Sequence, residues 1–135
     1  MKAQEIFEQA MDLCALRGSD GDGEPMLPGD LTDLAVRAVG ILNVLMGELH
    51  SLEERLTGKE RPYARIYGLE ETVDLCEGIC RCVLPYRLAA MRIAEEDGEL
   101  YRVLLHHADE AVKGLLSHGV AHRHSILEVY GGRNG

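Results

Sequence analysis

The sequence predicts an all-α fold: a small bundle of about four helices with an extended C-terminal arm or short strand. Residues that favour helices, namely Leu, Ala, Glu and Arg, are abundant in the 135-residue chain. Residues that favour strands are scarcer, since the chain has no Trp, one Phe and five Tyr. Apolar residues also recur at spacings of three and four along most of the chain, which is the pattern of one helix face.

The length of the chain fits a single helical domain over residues 1–135. Apolar residues make up 46% and charged residues 27%, a composition typical of a folded globular protein. The net charge of −9 disfavours nonspecific binding to nucleic acid, which requires clustered Lys and Arg. The sequence has no apolar run of about 18 residues, as a membrane span requires. Its acidic, amphipathic N-terminus does not fit a signal peptide, so we expect the chain in the cytoplasm.

The first helix is predicted over residues 2–17, where Ile6 and Ala10 fall on one face and Gly18 can end the helix. Residues 19–29 are rich in Gly, Pro and acidic side chains, so we expect a loop there. This loop begins like a calcium-binding loop, but its later positions lack the required glycine and glutamate, and the match fails.

A long second helix is predicted over about residues 31–57, with Asp30 and Thr32 as candidate N-terminal caps. An unbroken heptad seam of apolar residues runs along it: Leu31, Ala35, Ala38, Leu42, Leu45, Leu49, Leu52 and Leu56. This spacing predicts that the second helix lies along another helix, nearly parallel or antiparallel to it.

The first half of the second helix carries further apolar residues outside the seam: Leu34, Val36, Val39, Ile41, Val44 and Met46. A helix that is apolar on nearly every side is normally buried on nearly every side. Either other helices of the same chain or a partner subunit must therefore cover this set. We predict an interface with a partner around Leu34, Ile41 and Val44.

A third helix is predicted over about residues 69–96. Its predicted buried side consists of apolar residues and cysteines: Val73, Cys76, Cys80, Val83, Leu88, Met91 and Ala94. Pro85 lies inside this helix, where it lacks an amide donor and clashes with the carbonyl of Arg81. The sequence therefore predicts a kink between Arg81 and Pro85, or a break into two helices.

The fourth helix is predicted over about residues 99–117, with Asp97 as its cap and Gly119 at its end. In the tail, residues 119–135, the side chains of Ile126, Glu128 and Tyr130 would lie on one face of an extended chain and those of Leu127 and Val129 on the other. This alternation predicts a strand. A lone strand needs a backbone partner, either in its own bundle or in another chain. We therefore predict a second interface at the apolar residues of this segment: Ile126, Leu127, Val129 and Tyr130.

Two clusters of candidate metal ligands share one spacing: Cys76-x3-Cys80-x-Cys82 and His118-x3-His122-x-His124. Two Cys with two His would suit tetrahedral zinc. The simpler interpretation is that the cysteines are small core residues and that the histidines belong to the tail. Structural zinc sites usually present Cys-x2-Cys pairs, which the chain lacks, so we predict neither a metal nor a cofactor. The alternative function is a small metal- or thiol-dependent regulatory protein that uses these two clusters.

The sequence lacks the motifs of known catalytic sites, since it has no Gly-rich phosphate loop, nucleophile elbow or plausible triad. His106 and His107 precede Asp109, but neighbours on a helix diverge by about 100° and do not chelate one metal easily. We predict that the chain is not an enzyme and has no small-molecule substrate.

Three motifs follow one another along the third and fourth predicted helices: Leu84-Pro85-Tyr86, Leu88-Ala89-Ala90 and Glu96-Asp97-Gly98-Glu99-Leu100-Tyr101. In this arrangement the chain resembles the small head–tail connector (adaptor) proteins of tailed bacteriophages and prophage-like elements. The long second helix is also similar to the opening segments of that family. The resemblance covers about residues 30–117, while the cysteine cluster and the histidine-rich tail depart from it.

The resemblance implies a helical bundle with extended arms that assembles as a ring. Such a ring docks on the portal and links the capsid to the tail, so the implied partners are portal and tail proteins and further copies of the chain. DNA would pass through the ring without specific binding, which the negative net charge also favours. The implied location is the virion or the cytoplasm of a host bacterium.

Overall fold

The computed structural model describes the backbone of residues 1–18, 28–60, 62 and 64–127, and the side chains of residues 1–15, 32–60, 62 and 64–118. Its helices are α1 (Ala3–Gly18), α2 (Pro28–Thr57), α3 (Glu77–Cys82), α4 (Leu84–Ile93) and α5 (Gly98–Leu127). The predicted all-α bundle is confirmed, and the described residues contain no strand. Within these residues, no helix is both long enough and apolar enough to cross a membrane.

Helix α4 occupies the centre of the bundle and packs against each of the other four helices. Its ten residues include six that are buried: Leu84, Pro85, Leu88, Ala89, Ala90 and Ile93. The two alanines are small enough for neighbouring helices to approach closely, and the thiol of Cys14 in α1 donates a weak hydrogen bond to the carbonyl of Ala89 at 3.7 Å. Helix α4, which forms part of the predicted third helix, is therefore at the centre of the core.

The predicted break before Pro85 is confirmed. Helix α3 ends at Cys82, Val83 intervenes, and α4 begins at Leu84. Pro85 then lies in the first turn of α4, where a helix does not use the amide hydrogen that proline lacks. The proline thus starts a new helix instead of distorting a continuous one.

The predicted start of the third helix, near Leu69, is wrong, because residues 69–76 are not helical. Their backbone instead bonds to the N-terminus: the amides of Ala3 and Gln4 donate to the carbonyls of Glu71 and Leu69 at 2.9 and 2.8 Å. The amide of Val73 donates to the carbonyl of Met1 at 2.9 Å. These long-range bonds replace the local bonds that a helix would need.

Helix α2 begins at Pro28, earlier than predicted, so Asp30 and Thr32 lie inside the helix and are not its caps. Proline suits a first helical position because its φ angle is already helical. The predicted end is confirmed at Thr57, where Gly58 follows with a left-handed φ of 72°. The middle of the predicted seam is buried: Ala38, Leu42, Leu45, Leu49 and Leu52.

Two polar side chains of α2 hold the connection that leads to α3. The Asn43 amide donates to the carbonyl of Ile66 at 2.8 Å and accepts from the Ile66 amide at 2.9 Å. Nearly three turns further along the helix, the buried carboxylate of Glu53 accepts from the amide of Cys76 at 2.7 Å. Because the Cys76 amide lies at the start of α3, Glu53 also satisfies a donor that this helix leaves open.

Helix α5 confirms one predicted boundary and contradicts the other. Asp97 caps it as predicted, since the Leu100 amide donates to the Asp97 carboxylate at 3.0 Å. Gly119 does not end the helix, which continues to Leu127. A glycine inside a helix costs only about 1 kcal/mol and need not stop it.

Because α5 extends to Leu127, it includes the first two residues of the predicted C-terminal strand. Ile126 and Leu127 lie in the helix, so they do not begin a strand. Val129 and Tyr130 lie outside the described residues, and the arm beyond Leu127 stays a prediction. The confirmed part of the fold is thus the bundle itself.

Replacing Leu88 with Ala should lower the free energy of unfolding by about 2–5 kcal/mol, because it opens a cavity at the centre of the core. Urea denaturation followed by circular dichroism measures the change. Met91→Ala is the matched control on the same helix, since Met91 is 46% exposed and its replacement should cost about 1 kcal/mol or less. Equal losses in the two variants would contradict the central position of α4.

Candidate interaction surface

The apolar residues of α2 that lie outside its seam are only partly covered by the bundle. Met46 joins the core, whereas Leu34, Val39 and Ile41 are half-buried. The remaining two, Val36 and Val44, are 68% and 60% exposed. Within the part of the chain whose side chains are described, α2 is therefore not buried on nearly every side, and its first half presents apolar side chains to the outside.

An apolar groove with a volume of about 530 Å³ lies between α1, α2, α4 and the start of α5. Its apolar lining comes from three helices: Phe7 and Met11 of α1, Leu34 and Ile41 of α2, and Leu88 and Met91 of α4. Volumes of this size are typical of pockets that bury a ligand or an anchoring side chain. The groove thus combines two of the predicted contact residues with side chains from other helices.

Met91 and Ala94 were predicted on the buried side of their helix, and this prediction is wrong for both. Met91 is 46% exposed and Ala94 is exposed, and both line the groove. The buried neighbours Ala89 and Ala90 face other helices, and one further residue turns the side chain by about 100°. Met91 therefore faces the open groove.

Charged side chains also line the groove. Arg37 and Arg92 supply positive charge, and Glu95 and Glu96 supply negative charge. The Arg92 guanidinium lies 3.8 Å from the Glu96 carboxylate, so this pair is loose. The Nε atom of Arg92 is buried without a hydrogen-bond partner within the described part of the chain. The groove thus has charges of both signs beside its apolar lining.

The predicted contact residues fall into three places. Leu34 and Ile41 lie in the groove, whereas Val44 lies on the neighbouring exposed side of α2. Ile126 and Leu127 belong to the last turn of α5, and their side chains lie outside the described residues, as do Val129 and Tyr130. The sequence did not indicate the contributions of Met11 and Met91, because methionine spacing alone does not distinguish a core side chain from one at a groove.

The four cysteines are divided between the core and the surface. Cys14 and Cys80 are buried, Cys76 is half-buried, and Cys82 is exposed. In the part of the chain whose side chains are described, no three His, Cys, Asp or Glu residues lie together as a metal site requires. His122 and His124 lie outside that part, so the proposed Cys–His zinc site is not tested.

Burial changes the chemistry of three of the four thiols. Desolvation raises the pKa of Cys14, and the positive charge of Arg92 opposes this effect. Desolvation likewise raises the pKa of Cys76, with a further contribution from the nearby Glu53 carboxylate, and raises the pKa of Cys80 to about 11. A thiol must lose its proton to act as a nucleophile or a metal ligand. These positions therefore favour packing over thiol chemistry.

Comparison with protein-family models, curated protein sequences and solved structures finds no match to this chain. The function must therefore be inferred from the groove, the exposed side of α2 and the motifs around Pro85 and Asp97.

A thiol-specific alkylating reagent near neutral pH should modify Cys82 first, because Cys82 is exposed. Cys80 should react about a hundredfold more slowly, since burial raises its pKa to about 11 and so lowers the fraction of thiolate at neutral pH. Mass spectrometry of peptides after brief labelling measures the order. Cys82→Ser should remove the fast modification, and unfolded chain should label at all four cysteines. Rapid labelling of Cys76 and Cys80 in the folded chain would instead support the thiol-dependent function.

Proposed function

We propose that the chain is a structural protein of bacteriophage or prophage assembly: a head–tail connector that docks on the portal and assembles into a ring. The observation that carries this proposal is the apolar groove beside an exposed apolar side of α2, in a bundle whose centre is otherwise closely packed. Exposed apolar side chains beside a groove with charged residues in its lining are one feature of protein contact sites.

The motifs that resemble connector proteins hold structural positions in this chain. Pro85 begins the central helix, Leu88 and Ala89 fill the core, and Asp97 caps α5. The resemblance therefore concerns the residues that fix the bundle and the relative positions of its helices. This supports a shared architecture, and it leaves the partners to be identified by experiment.

The net charge of −9 supports the same proposal. A ring around a DNA channel must let the DNA slide, and a negative surface repels the phosphate backbone. The partners proposed are the portal, tail proteins and further copies of this chain. The proposed location is the virion and the cytoplasm of the host.

The metal- or thiol-dependent alternative has weaker support. Burial raises the pKa of Cys76 and that of Cys80, and Cys82 is exposed whereas Cys80 is buried. A site using these thiols would need the tail histidines to approach them and a metal to displace their protons. We therefore do not place the function at the cysteine cluster.

The proposal predicts binding to the portal protein encoded in the same genome. Purified portal rings mixed with the chain should gain mass in analytical ultracentrifugation, and electron microscopy should show added density at one end of the ring. Val44→Glu should weaken this binding about tenfold or more, because it places a charge in an apolar contact. Val103→Glu is the matched control, since Val103 is also exposed, at 43%, but lies on α5 outside the groove.

Absence of binding to the portal, together with stoichiometric zinc that is lost in Cys80→Ser, would overturn the connector proposal in favour of the alternative. Equal loss of portal binding in Val44→Glu and Val103→Glu would show that α2 does not provide the contact. Circular dichroism of each variant confirms that the bundle is intact before binding is compared.

A further inference from the structure

We propose that the groove of one copy receives the C-terminal segment Ile126–Tyr130 of the next copy, so that copies join head to tail. This inference rests on the proposed function as an assembly protein and adds the contact by which copies join. It also connects the two predicted interfaces, since one contributes the groove and the other contributes its occupant.

The groove has room for an occupant with apolar side chains. Leu34 and Ile41 of α2 are only half-buried in it, and Met91 of α4 is 46% exposed. The volume of about 530 Å³ can hold a few side chains and is too large for single-residue packing defects, which are close to the size of one water molecule. Covering this apolar surface would add to the stability of a complex at roughly 25 cal/mol per Å² removed from water.

The segment Ile126–Tyr130 has the matching chemistry. Four of its five residues are apolar or aromatic, and the fifth is Glu128. The carboxylate of Glu128 has two candidate partners in the groove, the guanidinium groups of Arg37 and Arg92. Arg92 is the better placed, because its guanidinium is partly exposed and lies 3.8 Å from its present partner, the Glu96 carboxylate. The groove also contains the carboxylates of Glu95 and Glu96, so Glu128 must lie on the arginine side of it, and the four apolar or aromatic residues supply the main contact.

The segment of the same chain cannot reach its own groove. Tyr101, near the start of α5, lines the groove. From there the helix continues for twenty-six residues to Leu127, a distance of about 39 Å at 1.5 Å per residue. Tyr130 lies three residues further, which is at most about 10 Å of extended chain. A return to the groove at the other end of α5 would need several times that length, so the segment must come from another copy.

The contact is therefore heterologous, with different surfaces meeting on the two partners. Each copy offers a groove at one end of α5 and a segment at the other, so the same contact can repeat from copy to copy. A repeated heterologous contact closes into a ring when its rotation divides a full turn, and otherwise forms an open chain. A ring is what the proposed connector requires.

Two full-length variants test this contact by complementation. Met91→Glu places a charge in the groove and leaves the segment unchanged. The double variant Val129→Asp/Tyr130→Asp makes the segment polar and leaves the groove unchanged. Each variant alone should lose self-association about tenfold or more, because charged side chains that must lose their water replace an apolar contact. An equimolar mixture should form a one-to-one dimer, since one intact groove meets one intact segment.

Sedimentation velocity of each variant and of the mixture measures the assembly state, and native mass spectrometry identifies the composition of the dimer. Val103→Glu is the control and should assemble like the unaltered chain. The double variant alters residues beyond the described bundle, so it keeps the test decisive even if Met91→Glu lowers stability. Circular dichroism establishes which variants are folded.

Several results would overturn the contact. They are an unaltered chain that stays monomeric at millimolar concentration, normal assembly of the double variant, or a mixture of the two variants that stays monomeric. A small molecule that copurifies in the groove and is lost in Met91→Glu would show a different occupant. Failure of portal binding with successful complementation would contradict only the connector function, and portal binding without complementation would contradict only this contact.

Discussion

The burial of α4 between the other helices is the constraint on which the rest of the structure depends. α4 packs against α1, α2, α3 and α5, and its small residues Ala89 and Ala90 allow close approach. Pro85 fixes where this helix begins, and the Asp97 cap fixes where the next helix starts. The core is therefore organised around the ten residues of α4. A change in the size or polarity of its buried residues would disturb the packing of α4 against the other helices.

The direction in which each side chain points explains why the bundle leaves apolar surface open. α2 is covered on one side, since Leu42 and Leu45 are buried whereas Val44, which lies between them in sequence, is 60% exposed. The groove lies beside α4 itself, where Leu88 is buried and Met91, nearly one turn further along, is 46% exposed. The proposed contacts thus lie on the outward side of α2 and along the open edge of α4.

Most of the fold was predictable because it depends on short-range rules. Heptad spacing identified the buried residues Leu42, Leu45 and Leu49, a proline inside a helix predicted the break at Pro85, and an acidic residue before a helix predicted the Asp97 cap. The prediction was wrong where distant backbone groups compete with local ones. Residues 69–76 pair with the N-terminus, and no local pattern signals that pairing.

The sequence by itself determined the helical class, the division into helices around the proline, and an excess of apolar residues on α2. Only the tertiary structure decided what that excess means. It divided the residues between a core position at Met46, a groove at Leu34 and Ile41, and an exposed side at Val44. The physical reason is that spacing along a helix fixes which side chains share a face, whereas the lengths and positions of neighbouring helices decide which part of that face is covered.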